Sequence, residues 1–230
     1  MSETLFMALA LIPALVIAIV FHEVAHGWVA LALGDPTAQE ERRLSLNPVR
    51  HVDPFGTLIL PGMLALIGAP VFGWAKPVPV LKWRLNNPRF GMMAVAAAGP
   101  GTNLLLAAIG AVLMGLLGRG LEGPPDGMAA FAFMALNSFI LINIFLALFN
   151  LLPIPPFDGS HILEGLLPRR AARTYEKLRP YGFPLLFVLL LVIPWLFPGA
   201  GIVEKVVLPP VDWAWRQFMT LAAAVAGEGA

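Results

Sequence analysis

Between Leu5 and Leu33 the only polar side chains are His22, Glu23 and His26, and no lysine or arginine appears before Arg42. A run of this length is enough to cross the hydrocarbon of a bilayer as a helix, which takes about 20 apolar residues. A carboxylate inside such a run has no water to solvate it, so it marks function unless something nearby compensates it. The three polar residues form His22-Glu23-Val24-Ala25-His26. On a helix, positions four apart lie nearly above one another, so both imidazoles can face one ion while the glutamate stands beside it. That is the pattern of a zinc site with a base attached. The pentapeptide can arise by chance in a soluble helix. In lipid, three polar side chains must find partners, and a metal ion satisfies all of them.

The rest of the chain agrees with a membrane setting. Of 230 residues 58% are hydrophobic and only 13% charged, too apolar for an ordinary soluble domain. Further apolar runs at 90–118, 129–152 and 183–198 read as membrane segments, the last one short unless extended at its ends. The start, Met1-Ser2-Glu3-Thr4, lacks the basic region of a cleaved signal peptide, so the first run is expected to be retained. A net charge of +1 argues against nucleic acid as a partner. With no cysteine, any metal must be held by nitrogen and oxygen. The expected fold class is therefore an all-α polytopic membrane protein: one domain over 1–230, with a three-helix catalytic core at about 5–165 and one or two C-terminal membrane segments within about 183–226. The 206–226 stretch, with Trp213 and Trp215 among charges, fits either a span or an interfacial helix.

Charge is segregated between the spans. The 34–89 connection carries Arg42, Arg43, Arg50, Lys76, Lys82, Arg84 and Arg89 against Asp35, Glu40, Glu41 and Asp53, and 165–182 carries five basic residues against Glu176 alone. Basic connections stay cytoplasmic, which puts the N-terminus outside and the motif toward the cytoplasmic side of a cell membrane. The 34–89 connection is also apolar and punctuated by Gly and Pro. Arg43-Leu44-Ser45-Leu46, Gly56 to Gly62 and Val71 to Val80 read as strands and tight turns, predicting a re-entrant β-hairpin-like element over 44–80 that walls the site. A loop lying on the membrane surface is the plainer alternative.

The third run ends in Asn150-Leu151-Leu152-Pro153-Ile154-Pro155-Pro156-Phe157-Asp158-Gly159-Ser160-His161. Two passes after the first helix the chain returns to the same side, so Asp158 can reach the two histidines. His161, His51, Asp53, Glu40 and Glu41 are the other candidate third ligands, and Asp158 is favoured because a carboxylate offsets part of a divalent charge in a low-dielectric site. Asn103, at the end of Gly99-Pro100-Gly101-Thr102-Asn103, is a polar group on an apolar face, and an interhelical hydrogen bond accounts for it on its own.

The His22-to-His26 motif, Gly99 to Asn103, and Asn150-Leu151-Leu152-Pro153 through Phe157-Asp158-Gly159 occur in the order found in the site-2 proteases. The chain resembles these intramembrane zinc metalloproteases over roughly 10–165, most of all their compact bacterial branch without a PDZ insertion. The resemblance implies zinc on His22, His26 and Asp158, one ion per chain, with Glu23 as general base. It implies that Asn103 and Asn150 hold substrate or transition state. It also matches 44–80 to a substrate-receiving β element; separately, an unwound substrate could satisfy its backbone by adding as a strand to the edge of that element, which predicts that disrupting Thr57 to Leu60 impairs cleavage. The implied substrate is a membrane-anchored protein cut within its transmembrane segment. Phe157 stands where leucine is common in the family, an apolar exchange. A metal or proton transporter would also place His, Glu and Asp at membrane depth but has no need of this spacing; an inactive client-binding scaffold is a further alternative.

Overall fold

The computed structural model describes residues 3–66, 73–121, 123–197 and 201–227. Ten α-helical segments follow in order: α1 (Glu3–Ala32), α2 (Thr37–Glu40), α3 (Leu60–Leu66), α4 (Pro88–Gly118), α5 (Gly127–Asn150), α6 (Asp158–Leu166), α7 (Arg169–Glu176), α8 (Gly182–Phe187), α9 (Ile193–Leu196) and α10 (Leu208–Ala226). Among the described residues four stretches are long and apolar enough to cross a membrane: Phe6–Ala32, Pro88–Gly118, Gly127–Asn150 and Arg169–Leu196. The last is the expected short run, lengthened at its N-terminal end by α7 and the turn that follows it.

The expected three-helix core is present, with α1, α4 and α5 packed against one another. Phe6 and Phe131 meet edge to face at the starts of α1 and α5, with ring centroids 5.7 Å apart, so these two helices run in the same direction. Small residues on α4 allow close packing: Ala107 and Ala111 are fully buried against Ile140 and Ile144 of α5 in the main apolar cluster. The same cluster takes in Val207, Val211 and Ala214, which attaches α10 to the core. Gly115 lies against the Ala222 carbonyl, Gly118 approaches Ala226, and the Trp215 indole donates to Asn137 Oδ1 at 3.0 Å. The 206–226 stretch therefore runs along the bundle, parallel to the second half of α4.

The expected β-hairpin does not form. Among the described residues there is no β-strand: Pro48–His51 is a 3-10 turn, Pro54–Ile59 a π-helical turn, and α3 follows directly. Residues 67–72, within the expected 44–80 element and including the start of its Val71 to Val80 segment, lie outside the described residues. Thr57 to Leu60 is no free edge, since the Thr57 N–H is spent inside the turn on Asp53 O at 2.8 Å. Asn47-Pro48 and Asp53-Pro54 explain the difference. In each pair a side chain caps the free N–H groups that follow, Asn47 accepting from Val49 and Asp53 from Phe55 and Gly56. A proline in the first turn has no N–H to lose. These are helix-start signals in a stretch whose Gly and Pro content suggested strands.

Residues 73–81 form neither helix nor strand and run as a single strap. Two isolated bonds, Trp74 N–H to Gly56 O and Lys76 N–H to His51 O, tie it to the preceding turns. Arg43, buried, donates to the carbonyls of Lys76 and Pro77, at 2.6 and 3.3 Å. At the far end Leu81 N–H donates to Asp35, which is fully buried at the exit of α1 and also accepts from Thr37. Burial pushes the Asp35 carboxyl up, but these hydrogen bonds outweigh it and hold the group below the usual carboxylate range.

Candidate metal centre

The second half of α1 presents His22 and His26 inward, both buried, with ring centroids 4.7 Å apart. Counting back from Ala32, His26 and His22 stand about 9 and 15 Å, respectively, from the end of the span at 1.5 Å per residue. Asp158 comes to them as the first residue of α6. Gly159 permits this approach: a Cβ there would lie 2.2 Å from the Leu151 carbonyl oxygen, so no larger residue lets α6 start against the last turn of α5. One Asp158 carboxylate oxygen, Oδ2, lies 3.1 Å from His22 Nε2 and 3.4 Å from His26 Nε2. The three ligand atoms all fall within 4.8 Å of one another.

The far ring nitrogens fix what the near ones can do. His26 Nδ1 faces the Val95 carbonyl at 2.7 Å, and His22 Nδ1 faces Asn103 Oδ1 at 2.5 Å. A carbonyl oxygen only accepts, so each Nδ1 carries the proton. The Asn103 amide is itself oriented, because its nitrogen donates to Ala18 O at 3.1 Å and to Asn143 Oδ1 at 2.8 Å. Asn143 is oriented in turn by donating to Phe139 O at 2.8 Å. With Nδ1 occupied by a proton in each ring, the two Nε2 atoms and a carboxylate oxygen converge on one point, and neutral rings present two lone pairs there. Such a set can hold a metal ion, and nitrogen, nitrogen and oxygen donors suit zinc. Gly99 of α4 completes the cradle. A Cβ there would lie 2.5 Å from His26 Nε2 and 2.6 Å from His22 Nε2, so the glycine leaves open the space beside both nitrogens.

Glu23 does not join the three ligands. Its Oε2 accepts from the Val78 N–H of the strap at 2.8 Å. Because Pro77 and Pro79 have no N–H, Val78 offers the only backbone donor across Pro77-Val78-Pro79, and the glutamate receives it.

Asn103 is fully buried behind His22 with both ends of its amide engaged, the oxygen facing the His22 imidazole. Asn150 is half-buried and donates to Leu146 O, one turn back in α5, at 2.9 Å. The other candidate ligands are elsewhere. His51 Nε2 bonds to Ser45 O, Asp53 caps the turn after it, Glu40 pairs with Arg84, and Glu41 is exposed. His161 Nδ1 accepts from Arg179 at 2.9 Å, and burial together with that guanidinium pushes the imidazole down to about 4. Beside it, buried Glu164 pairs with Lys82 at 2.7 Å and with Arg179. Arg89 binds the carbonyls of Gly165 and Leu167. These three cations anchor the far end of α6 and so fix where Asp158 stands. Asn143 was the partner missed from sequence; its signal was the same as that of Asn103, a carboxamide in an otherwise apolar helix.

The sequence profile described as peptidase family M50 matches residues 124–193, which include Asp158 but not the α1 motif. Several relatives bear the name "Putative zinc metalloprotease". YwhC of Bacillus subtilis is 40% identical over 203 residues, 84% of this chain and 87% of that protein. Rip2 of Mycolicibacterium smegmatis is 30% identical, over 76% of this chain and 65% of its own length. MJ0611 of Methanocaldococcus jannaschii is 34% identical, over 63% and 64%. No solved structure matches.

Proposed function

The chain belongs to peptidase family M50, and from that premise we propose that it is an intramembrane endopeptidase that cuts peptide bonds inside transmembrane segments of membrane-anchored proteins. It is a zinc metalloprotease and a multi-pass membrane protein. The observation that carries the finer reading is depth: two imidazoles well inside the first span meet a carboxylate, with ligand atoms within 4.8 Å. A protease acting only on soluble chains has no need to keep its chemistry there.

His22 Nε2, His26 Nε2 and the Asp158 carboxylate would hold one zinc per chain. When bound, the metal supplies a Lewis acid that acidifies water and polarises the scissile carbonyl. Glu23 is the general base. With Oε2 held by Val78 N–H, Oε1 is left to take a proton from water and return it to the leaving amine. Asn103, steadied by Asn143, keeps the His22 proton on Nδ1 and its lone pair on Nε2. That is a positioning role in place of the substrate contact the family resemblance implies. Asn150 remains the candidate for substrate contact. The substrate must unwind locally before attack, because in a helix its carbonyls are hydrogen-bonded and shielded. The partners in this reading are a membrane-anchored protein and the bilayer, with no nucleic acid. The N-terminus lies outside and the site faces the cytoplasmic side, following the basic connections.

Metal analysis combined with cleavage of a model transmembrane peptide tests the proposal. Glu23→Gln should retain one zinc per chain and lose about 10²–10⁴-fold in cleavage rate, the usual contribution of a general base. A protein that moves metal or protons across vesicles and cuts nothing would overturn it.

A further inference from the structure

We propose that an open cavity beside the last turns of α1 binds the head group of an anionic phospholipid. The cavity, about 470 Å³, lies between Trp28 and Leu31 of α1 and Leu44, Arg42 and Arg50 of the connection. Its apolar wall continues a lipid-facing strip. Ile17, Phe21 and Trp28 recur at helical spacing on the outer face of α1 and are 41%, 37% and 58% exposed, and within a span such a face meets acyl chains. The strip ends at Trp28, a residue type that settles at the boundary between acyl chains and head groups.

The opposite wall is cationic. Neither Arg42 nor Arg50 forms an ion pair among the described residues, and the nearby Glu40 is engaged by Arg84. Glu41, exposed, is not among the residues lining the cavity. Arg50 Nη1 donates to the Arg42 carbonyl at 2.8 Å, which fastens one arginine to the backbone of the other. Arg42 is the one non-glycine residue with positive φ among the described residues, at 53°. A fold that keeps an unfavourable backbone conformation at an exposed cation suggests use of that side chain. Two guanidinium groups suit the oxygens of a phosphate diester, and their charge favours a lipid of net negative charge over a zwitterionic one.

The joining of the two walls selects a lipid over other anions. Free phosphate would use the arginines and leave Trp28 and Leu31 unused; an acidic peptide would do the same. A phospholipid fills both, with its phosphate on Arg42 and Arg50 and its chains along Trp28, Phe21 and Ile17.

The test is native mass spectrometry of the full chain in detergent, titrated separately with phosphatidylglycerol and phosphatidylcholine. Wild type should bind phosphatidylglycerol at least about tenfold more tightly, one charge-assisted contact being enough for that ratio. Arg42→Gln with Arg50→Gln should abolish the difference, and Trp28→Ala should weaken both lipids. Inorganic phosphate or an oligoglutamate peptide at millimolar concentration should not displace the lipid. Equal affinity of the wild type for the two lipids would overturn the proposal whether or not the variants fold. Displacement by phosphate would make the cavity a simple anion site, and displacement by the peptide a protein contact; either result also overturns it.

Discussion

Adding a single methyl group at Gly99 should weaken metal binding without replacing any ligand. A Cβ built there lies 2.5 Å from His26 Nε2, against about 3.4 Å for ordinary contact, so something must move by nearly 1 Å. The obstruction is shared, since His22 Nε2 lies 2.6 Å from the same point. Neither ring can easily retreat, because each is pinned by its Nδ1 to α4, His26 at the Val95 carbonyl and His22 at Asn103. Forcing a methylene-sized group into packed surroundings costs about 1–3 kcal/mol, which at about 1.4 kcal/mol per tenfold is a loss of roughly 5–150-fold in zinc affinity. The helix itself should not suffer, because alanine is favoured over glycine within a helix by about 1 kcal/mol. Gly101 is the internal control: it lies two residues along the same helix, and a Cβ there meets nothing within 4 Å. Zinc titration against a competing chelator, with cleavage of a transmembrane peptide alongside, separates the two variants. Gly99→Ala should bind weakly and cut poorly, while Gly101→Ala should match wild type. A Gly99→Ala protein with wild-type zinc affinity and activity would refute the proposed placement of the ion against the two Nε2 atoms.

Three further outcomes follow from the same geometry. Asn143→Leu frees the Asn103 amide to turn, and zinc affinity or activity should fall by about 10–100-fold, as for other groups behind a metal ligand; unchanged zinc titration and kinetics would show that Ala18 O alone suffices. Val78→Pro deletes the N–H that holds Glu23 while leaving all three ligands in place, so cleavage should slow markedly at full zinc content; loss of zinc in step with activity would contradict that division of labour. His161 is held neutral, its pKa lowered from 6.5 to about 4, so the unfolded chain takes up a proton first as pH drops. Stability should therefore be full above about pH 6.5 and decline toward pH 4 by up to about 3 kcal/mol, and thermal melts of His161→Gln should lack that slope.

How much of this was legible in sequence depends on how local each signal is. The length of the apolar runs and the four-residue spacing of His22 and His26 are properties of a single helix, and they led directly to the spans and to a candidate ligand pair. The return of Asp158 to the same side followed from counting passes, since α1 and α5 run in one direction. Glycine and proline in the connection read equally as strand punctuation and as helix starts, and here Asn47-Pro48 and Asp53-Pro54 cap helical turns in place of the expected hairpin. Asn103 could be seen as a buried amide, but nothing in its neighbours tells whether it faces substrate or an imidazole.

The amino-acid order alone thus decided that the chain enters a membrane and carries a His-Glu-x-x-His face there, because hydropathy and helical periodicity act within one segment. Tertiary packing decided which atoms answer that face. The rotation of α4 brings Gly99, Val95 O and Asn103 to the two rings, Gly159 lets α6 deliver Asp158, and the strap brings Val78 N–H to Glu23. Those are contacts between segments far apart in the chain. They depend on how whole helices settle against one another, which no local pattern of residues encodes.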